Sequence, residues 1–99
     1  MAVRKSPEAD DDFARIYAYG LADYGRRQAE DYVIGLLQAF DWIGDNPLLA
    51  RERNVVSPPV RLHTYRAHHI LYLIDDGDVL ILRVLHGSAN WIDQLQRAP

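Results

Sequence analysis

Hydrophobic residues in the first half of the chain recur at the three- and four-residue intervals that characterise amphipathic helices. The first stripe runs from Pro7 to Gly25 and follows Ser6, which suits an N-cap with proline at the first helical position. A second stripe covers residues 29–43, until Asn46-Pro47 ends it. Because the joint at Gly25 is short, the two helices are expected to fold back on each other as a hairpin.

The residues after the second helix lose this periodicity and then show the short apolar runs of β-strands. Residues 47–59 form a predicted loop, because Pro58-Pro59 forbids regular ladder bonding, and a strand follows at residues 60–65. Residues 1–5 can form a short strand ahead of the first helix. The predicted order to this point is strand, helix, helix, strand.

Two longer apolar runs, residues 68–75 and 78–85, flank Asp76-Gly77. This dipeptide is typical of a two-residue type I′ hairpin turn, and it sets the register with Asp75 opposite Asp78. Alternation along the strands then divides their side chains between two largely apolar faces. The first predicted face carries His68, Ile70, Tyr72, Ile74, Val79, Ile81, Arg83 and Leu85. The second predicted face carries His69, Leu71, Leu73, Leu80, Leu82, Val84 and His86.

These elements predict one α+β domain over residues 1–99, in the order β-α-α-β-β-β. The helical hairpin packs on a small antiparallel-rich sheet, and Ser88-Ala89-Asn90 can cap a short C-terminal helical segment. The helical hairpin covers only one face of the sheet, and the C-terminal segment is expected to be too short to cover the other. The remaining leucines, together with an edge strand for an incoming tail, are therefore predicted to bind a protein partner. We call this set the leucine face: Leu71, Leu73, Leu80 and Leu82.

The helix and strand patterns do not explain what Arg83 and Trp91 contact. Arg83 lies within an apolar strand, so we expect it to pair with a carboxylate of the helical hairpin, since a buried charge without a partner is strongly destabilising. Trp91 heads the C-terminal segment with Ile92 and Leu95, and tryptophan is enriched in binding hot spots. It is either a core plug or an interface anchor, and the sequence leaves both interpretations open.

Composition limits the expected cellular location of the protein and the ligands that it can bind. The 99 residues are 48% hydrophobic, contain no cysteine and carry a net charge of −3. A protein that mainly neutralises phosphates would be basic, so direct sequence-specific nucleic-acid binding is not expected. Without cysteine, a signal peptide or a long apolar run, the protein is expected in the cytoplasm and not in a membrane. The histidines lack the spacing of a metal site, so we expect no metal and no other cofactor.

Several segments resemble the ParE branch of the RelE/ParE toxin superfamily. "SPEADDDFARIYAYGLADYG" is similar to the family's first helix and "QAEDYVIGLLQAFDWIGDNP" to its second, while "HHILYLI" and "VLILRVLHGS" are similar to its last two strands. The resemblance implies the toxin of a bacterial type II toxin–antitoxin system. It implies a non-catalytic protein that inhibits DNA gyrase by binding and is neutralised, in a hetero-oligomer, by a ParD-like ribbon-helix-helix antitoxin.

Three alternatives stay open: a RelE-like ribosome-dependent mRNA endonuclease, a toxin with another target, and a non-toxic antitoxin-binding relic. Nuclease chemistry needs cations that stabilise the phosphorane and side chains that move protons, all on one sheet face. By resemblance to nuclease members, His69 stands where arginine is usual and only His86 matches. We therefore expect no catalytic residue; if the protein is a nuclease, His69 and His86, predicted to share a face, are the candidates.

The resemblance also makes the C-terminal segment a candidate contact with the target. The predicted target-binding residues are His86, Trp91, Ile92 and Leu95. A structural role for His86, as a strand-end residue bonded to a backbone carbonyl, is the competing interpretation.

Overall fold

A helical hairpin covers one face of a five-stranded sheet, and a short helix lies against the other. The computed structural model describes residues 1–96. The elements are β1 (Val3–Lys5), α1 (Pro7–Tyr24), α2 (Arg26–Asp45), β2 (Glu52–Arg53), β3 (Val60–Tyr65), β4 (His68–Asp75), β5 (Asp78–His86) and α3 (Trp91–Gln96). The predicted α+β class and the helical hairpin are confirmed.

The start of α1 is held by the predicted cap. The Ser6 hydroxyl oxygen accepts a hydrogen bond from the Ala9 amide at 3.0 Å and donates one to the Leu82 carbonyl at 2.8 Å, which ties the helix start to β5. Gly25 joins the helices with a φ of 88°, a conformation that side-chain-bearing residues rarely adopt. A Cβ on Gly20 would lie 3.1 Å from the Ala29 Cβ, so the absence of a side chain lets α1 and α2 pack closely.

The sheet has the strand order β1-β5-β4-β3-β2. The strand β1 pairs in parallel with β5, and the other neighbours are antiparallel. The two-residue strand β2 lies within the segment predicted as a loop, where it pairs with Val60 and Arg61. Arg61 also donates a hydrogen bond to the Ala50 carbonyl, which holds this loop to the sheet. Two residues are too few for alternation to reveal a strand.

The predicted turn between β4 and β5 is confirmed. Asp76 and Gly77 both have positive φ, 51° and 77°, as a type I′ turn requires. The predicted register holds for the pairs Asp75–Asp78, Ile74–Val79, Leu73–Leu80 and Tyr72–Ile81. The turn therefore sets the pairing over the first half of the β4–β5 hairpin.

Beyond Tyr72 the predicted register is wrong. Leu71 pairs with Arg83 and not with Leu82, so β5 contains one extra residue at that point. A bulge of this kind reverses which face the following side chains occupy. Val84 accordingly joins the core under the helices and Leu85 joins the opposite cluster, the reverse of the prediction. His86 pairs with His68.

Two apolar clusters lie on opposite sides of the sheet. The cluster under the helices contains Leu36, Phe40 and Ile43 from α2 and Ile70, Tyr72, Val79, Ile81 and Val84 from the sheet. The cluster on the other side contains Val56, Val60, Leu71 and Leu85, with Leu62, Leu82, Ala89, Trp91, Ile92 and Leu95 packed against it. The expectation that α3 is too short to cover the leucine face is therefore wrong for half of that face. The loop residue Val56 helps to cover it, and Leu71 is completely buried.

Candidate functional site

Asp12 is the buried charged residue around which one end of the molecule is organised. It is 4% exposed. Its carboxylate accepts hydrogen bonds from Arg83 Nε at 2.7 Å and Nη2 at 2.9 Å, and from the Val84 amide at 2.9 Å. Arg15 Nη2 donates to the same carboxylate at 2.7 Å. The predicted pairing of Arg83 with a helix carboxylate is confirmed. The same carboxylate binds two guanidinium groups, those of Arg83 and Arg15.

An open cleft lies beside this network. It is bounded by the tip of the helical hairpin and by the end of the sheet where β4 begins and β5 ends. Its volume is about 640 Å³, within the ~300–1,000 Å³ range of small-ligand pockets. We call it the hairpin cleft, and its lining comprises Arg15, Ile16, Tyr19, Gly20, Tyr24, Gln28, Ala29, Tyr32, Ala67, His68 and His86. The lining combines an apolar floor with a guanidinium group, two imidazoles and phenol hydroxyls.

His68 is held in the hairpin cleft by a tyrosine of α2. The Tyr32 hydroxyl lies 2.6 Å from His68 Nδ1, and the two rings meet edge to face with centroids 5.4 Å apart. Burial lowers the pKa of His68, the charges of His86 and His69 lower it further, and Asp12 acts in the opposite sense. The same burial raises the pKa of Tyr32, because it disfavours the charged phenolate. Both groups therefore favour their neutral forms, in which the phenol donates to Nδ1 and His68 Nε2 carries the imidazole proton.

His86 ends β5 and faces His68, with ring centroids 5.5 Å apart at an angle of 83°. Its Nδ1 accepts a hydrogen bond from the Ser88 amide at 3.1 Å and lies 2.7 Å from the Ser88 hydroxyl. Because Nδ1 accepts, the proton of the neutral ring is on Nε2. The structural interpretation expected a bond to a backbone carbonyl, and this is wrong: the backbone group bonded to the ring is the Ser88 amide.

The structure separates His69 from His86, which corrects the expectation that the two share a face. His69 pairs with Leu85, and its Nδ1 lies 3.1 Å from the Thr64 hydroxyl. The bulge in β5 brings His86 to the side of His68 instead. Sequence alternation alone could not have found this pair, because the extra residue in β5 leaves no pattern in the apolar run.

The tip of the helical hairpin carries two exposed tyrosines. Tyr19 and Tyr24 are 61% and 62% exposed and contact each other edge to face at 6.2 Å. Both tyrosines border the hairpin cleft. Trp42, near the end of α2, is also exposed and stacks on His63 at a centroid distance of 5.0 Å.

The predicted partner-binding residues fall into two groups. Leu71 is inaccessible, and Leu82 packs against the cluster that contains it. Leu73 and Leu80 pair with each other across β4 and β5, are half-buried and lie outside that cluster. Leu71 is therefore unavailable to a partner in the described conformation, whereas Leu73 and Leu80 are partly accessible and make no contact with the cluster under α3.

The predicted target-binding residues are also separated by the fold. Trp91, Ile92 and Leu95 are half-buried and pack on the sheet from α3, which starts at the predicted cap, where Asn90 Oδ1 accepts from the Asp93 amide at 3.2 Å. His86 is exposed and lies in the hairpin cleft on the opposite side. The packing favours the core-plug interpretation of Trp91.

The free edge of β3 is a second surface where a protein could bind. The short strand β2 pairs only with Val60 and Arg61, so on the edge of β3 that faces away from β4 the segment from Leu62 to Tyr65 has no strand partner among residues 1–96. Such an edge presents unpaired amides and carbonyls to an incoming strand. Within residues 1–96, no cluster of three or more potential metal ligands occurs and no helix is long and apolar enough to cross a membrane.

Comparison with known proteins decides the family. Residues 3–91 match the family described as ParE toxin of type II toxin-antitoxin system, parDE. The chain belongs to the ParE toxin family. The match spans β1 to the start of α3, so the membership rests on the whole sheet and both long helices.

Individual relatives agree with this assignment. The ParE-family chain is 27% identical to Toxin ParE3 of Caulobacter vibrioides over 84 residues, which are 85% of this chain and 84% of that protein. Its fold is similar to that of a chain in the structure titled chromosomal ParDE TA system from P. aeruginosa. The TM-score is 0.76 at 18% identity, and the match covers 87% of this chain and 95% of that one.

Proposed function

We propose that this ParE-family protein is a toxin that inhibits DNA gyrase by binding and is held inactive by a ParD-like antitoxin. The observation that supports this proposal is the family match over residues 3–91. The name of that family refers to a type II toxin–antitoxin system. The target and the partner of this chain are inferred from the family.

A non-catalytic mode of action fits the electrostatics of the hairpin cleft. An endonuclease needs cations free to stabilise the charge that develops on the phosphorane. Arg15 and Arg83 share the Asp12 carboxylate, so the three groups together supply a single net positive charge instead of two. His69, one of the two nuclease candidates, lies on the other side of the sheet. These features support binding without chemistry.

The endonuclease alternative nevertheless has one specific observation in its favour. His68 and His86 are in ring contact, Tyr32 is bonded to His68, and Arg15 lines the same cleft. An imidazole pair of this kind can move protons near neutral pH. The deciding experiment must therefore measure both the state of the DNA and the integrity of the mRNA.

Antitoxin docking is proposed at Leu73, Leu80 and the free edge of β3. The two leucines are half-buried outside the intramolecular cluster, and the edge offers backbone groups to an extended tail. Leu71 and Leu82, expected beforehand to belong to this surface, instead pack in the cluster that α3 covers. Residues of α3 and His86 stay proposed contacts with the target.

The test is to induce the chain without antitoxin and to follow plasmid supercoiling, DNA breaks and transcript ends in the same cultures. We expect supercoiling to fall and gyrase-linked breaks to appear while transcripts stay intact. Purified gyrase should lose supercoiling activity when the protein is added. Codon-periodic cleavage of mRNA with normal supercoiling would replace the proposal by the endonuclease, and growth arrest with neither effect would indicate another target.

A further inference from the structure

The hairpin cleft carries chemistry that neither gyrase inhibition nor docking at Leu73 and Leu80 explains. Two guanidinium groups, Arg15 and Arg83, converge on the single carboxylate of Asp12. The network therefore holds one positive charge in excess. The side chain of Arg15 is 67% exposed and lines the cleft, so this excess charge is accessible to a ligand.

His68 and His86 add two further hydrogen-bond donors to the cleft beside the Arg15 guanidinium. His68 Nδ1 is engaged by Tyr32 and His86 Nδ1 by Ser88, which leaves the Nε2 hydrogens of both rings as donors for a ligand. Two N–H donors and a guanidinium match a group that only accepts hydrogen bonds. A carboxylate has that property, whereas an amide or a hydroxyl has it only in part.

The rest of the cleft is mainly apolar, with Gln28 as the one amide side chain among the lining residues. Ile16, Gly20 and Ala29 form its floor, and the rings of Tyr19 and Tyr24 border it. A ligand that fills this space needs hydrocarbon next to its charge. Aliphatic side chains beside an acidic residue in a peptide provide that combination.

The surrounding charge argues against a nucleic acid or another polyanion. Asp23 accepts a hydrogen bond from Tyr19 at the border of the cleft, Asp11 is exposed on the same helix, and the charge of Glu8 acts on Arg83. The whole chain carries a net charge of −3. One excess positive charge can hold a single carboxylate, but a phosphate backbone would meet more repulsion than attraction.

We propose that the hairpin cleft binds an acidic side chain of a peptide segment, with the carboxylate at Arg15, His68 and His86 and the flanking aliphatic side chains against Ile16 and the tyrosines. This assignment is independent of whether gyrase is the target. It differs in position from the proposed antitoxin surface, because the cleft lies at the helix-covered side of the sheet and Leu73 and Leu80 do not line it.

The test uses two matched peptides and the full-length chain, isotopically labelled by cell-free synthesis. Acetyl-Leu-Glu-Leu-amide and acetyl-Leu-Gln-Leu-amide differ only in the charge, and inorganic phosphate serves as a third probe. NMR titration should show the glutamate peptide binding about tenfold more tightly than the glutamine peptide, as expected for a charge-assisted hydrogen bond. The resonances that move should be those of Arg15, His68, His86 and Tyr32.

Two variants assign the effect to the cleft. Arg15→Gln should reduce binding of the glutamate peptide to the level of the glutamine peptide. Arg26→Gln removes an exposed cation that lies outside the cleft and should leave binding unchanged. Equal binding of both peptides, shifts on another surface, or an unaffected Arg15→Gln variant would each overturn the proposal. Phosphate binding as tight as that of the glutamate peptide would overturn the choice of a peptide.

Discussion

Asp12 and Arg83, separated by 71 positions in the sequence, form a two-point ion pair with contacts of 2.7 and 2.9 Å. The pair joins the first turns of α1 to the bulged part of β5. The same carboxylate accepts the Val84 amide, so it also satisfies a backbone group next to the irregular pairing. Because Asp12 is almost completely buried, its loss would leave a guanidinium and a buried amide without their acceptor.

Replacement of Asp12 by alanine should lower the free energy of unfolding by about 3 kcal/mol, the lower end of the cost of breaking a buried pair, because Arg83 keeps some access to water. Urea denaturation followed by circular dichroism measures this change. Asp11→Ala is the matched control, since Asp11 is exposed on the same helix and should change stability by less than about 0.5 kcal/mol. Equal effects of the two substitutions would show that the network does not stabilise the fold.

The division of the leucine face predicts unequal costs for two neighbouring leucines. Leu71→Ala should lower the free energy of unfolding by about 3 kcal/mol, because a fully buried side chain is lost and a cavity remains. Leu73→Ala should lower the free energy of unfolding by about 1 kcal/mol, because Leu73 is only half-buried and lies outside the cluster. Chemical denaturation of both variants provides the comparison. Similar values would mean that α3 does not cover Leu71 in solution.

Leu80→Asp should weaken binding of the cognate antitoxin by about tenfold or more, because it places a charge in the proposed docking surface. Its fold should survive, since Leu80 lies outside the cluster under α3. Calorimetric titration measures the affinity, and circular dichroism checks the fold. Leu21→Asp, at an exposed position of α1, should retain wild-type affinity.

Leu82→Asp is a poor probe of the same surface. Leu82 packs against the cluster under α3, so we expect this variant to lose stability before it reports on docking. Unchanged antitoxin affinity in a folded Leu80→Asp protein would exclude Leu80 from the docking surface.

The folded chain should lose stability as the pH falls through the range in which an unfolded histidine titrates. The pKa of His68 is lowered in the folded chain, mainly by burial, so below about pH 6.5 the unfolded chain binds more protons. The free energy of unfolding therefore decreases as protons are added and stays high at pH 7 and above. Burial lowers the pKa of His63 as well, which contributes in the same direction.

Urea midpoints between pH 5 and 8 test this pH dependence. His68→Asn should flatten the profile without abolishing it, because His63 still contributes, and the asparagine oxygen can still accept from Tyr32. His69→Asn, on the other side of the sheet, is the matched control. A wild-type profile that rises toward acid would contradict the sign of the prediction.

Local sequence determined the elements that depend on neighbouring residues. Ser6 and Pro7 start α1, Gly25 ends it, and the amphipathic stripes predict both long helices. Asp76-Gly77 sets the turn and the pairs next to it, because their conformations are intrinsic to those residues. The resemblance to ParE toxins was recognisable in the sequence, since these elements follow one another in the family order. That residues 1–99 form a single domain stays a prediction.

Only the tertiary structure decided how the elements meet. The bulge in β5, the parallel pairing of β1 and the two-residue strand β2 depend on contacts between distant segments, which leave no local periodicity. The bulge alone determines that His86 lies beside His68 and not beside His69, because one extra residue reverses the face of each side chain that follows. The hairpin cleft and the burial of Leu71 follow from the same long-range packing, in which side chains far apart in sequence compete for the two faces of one sheet.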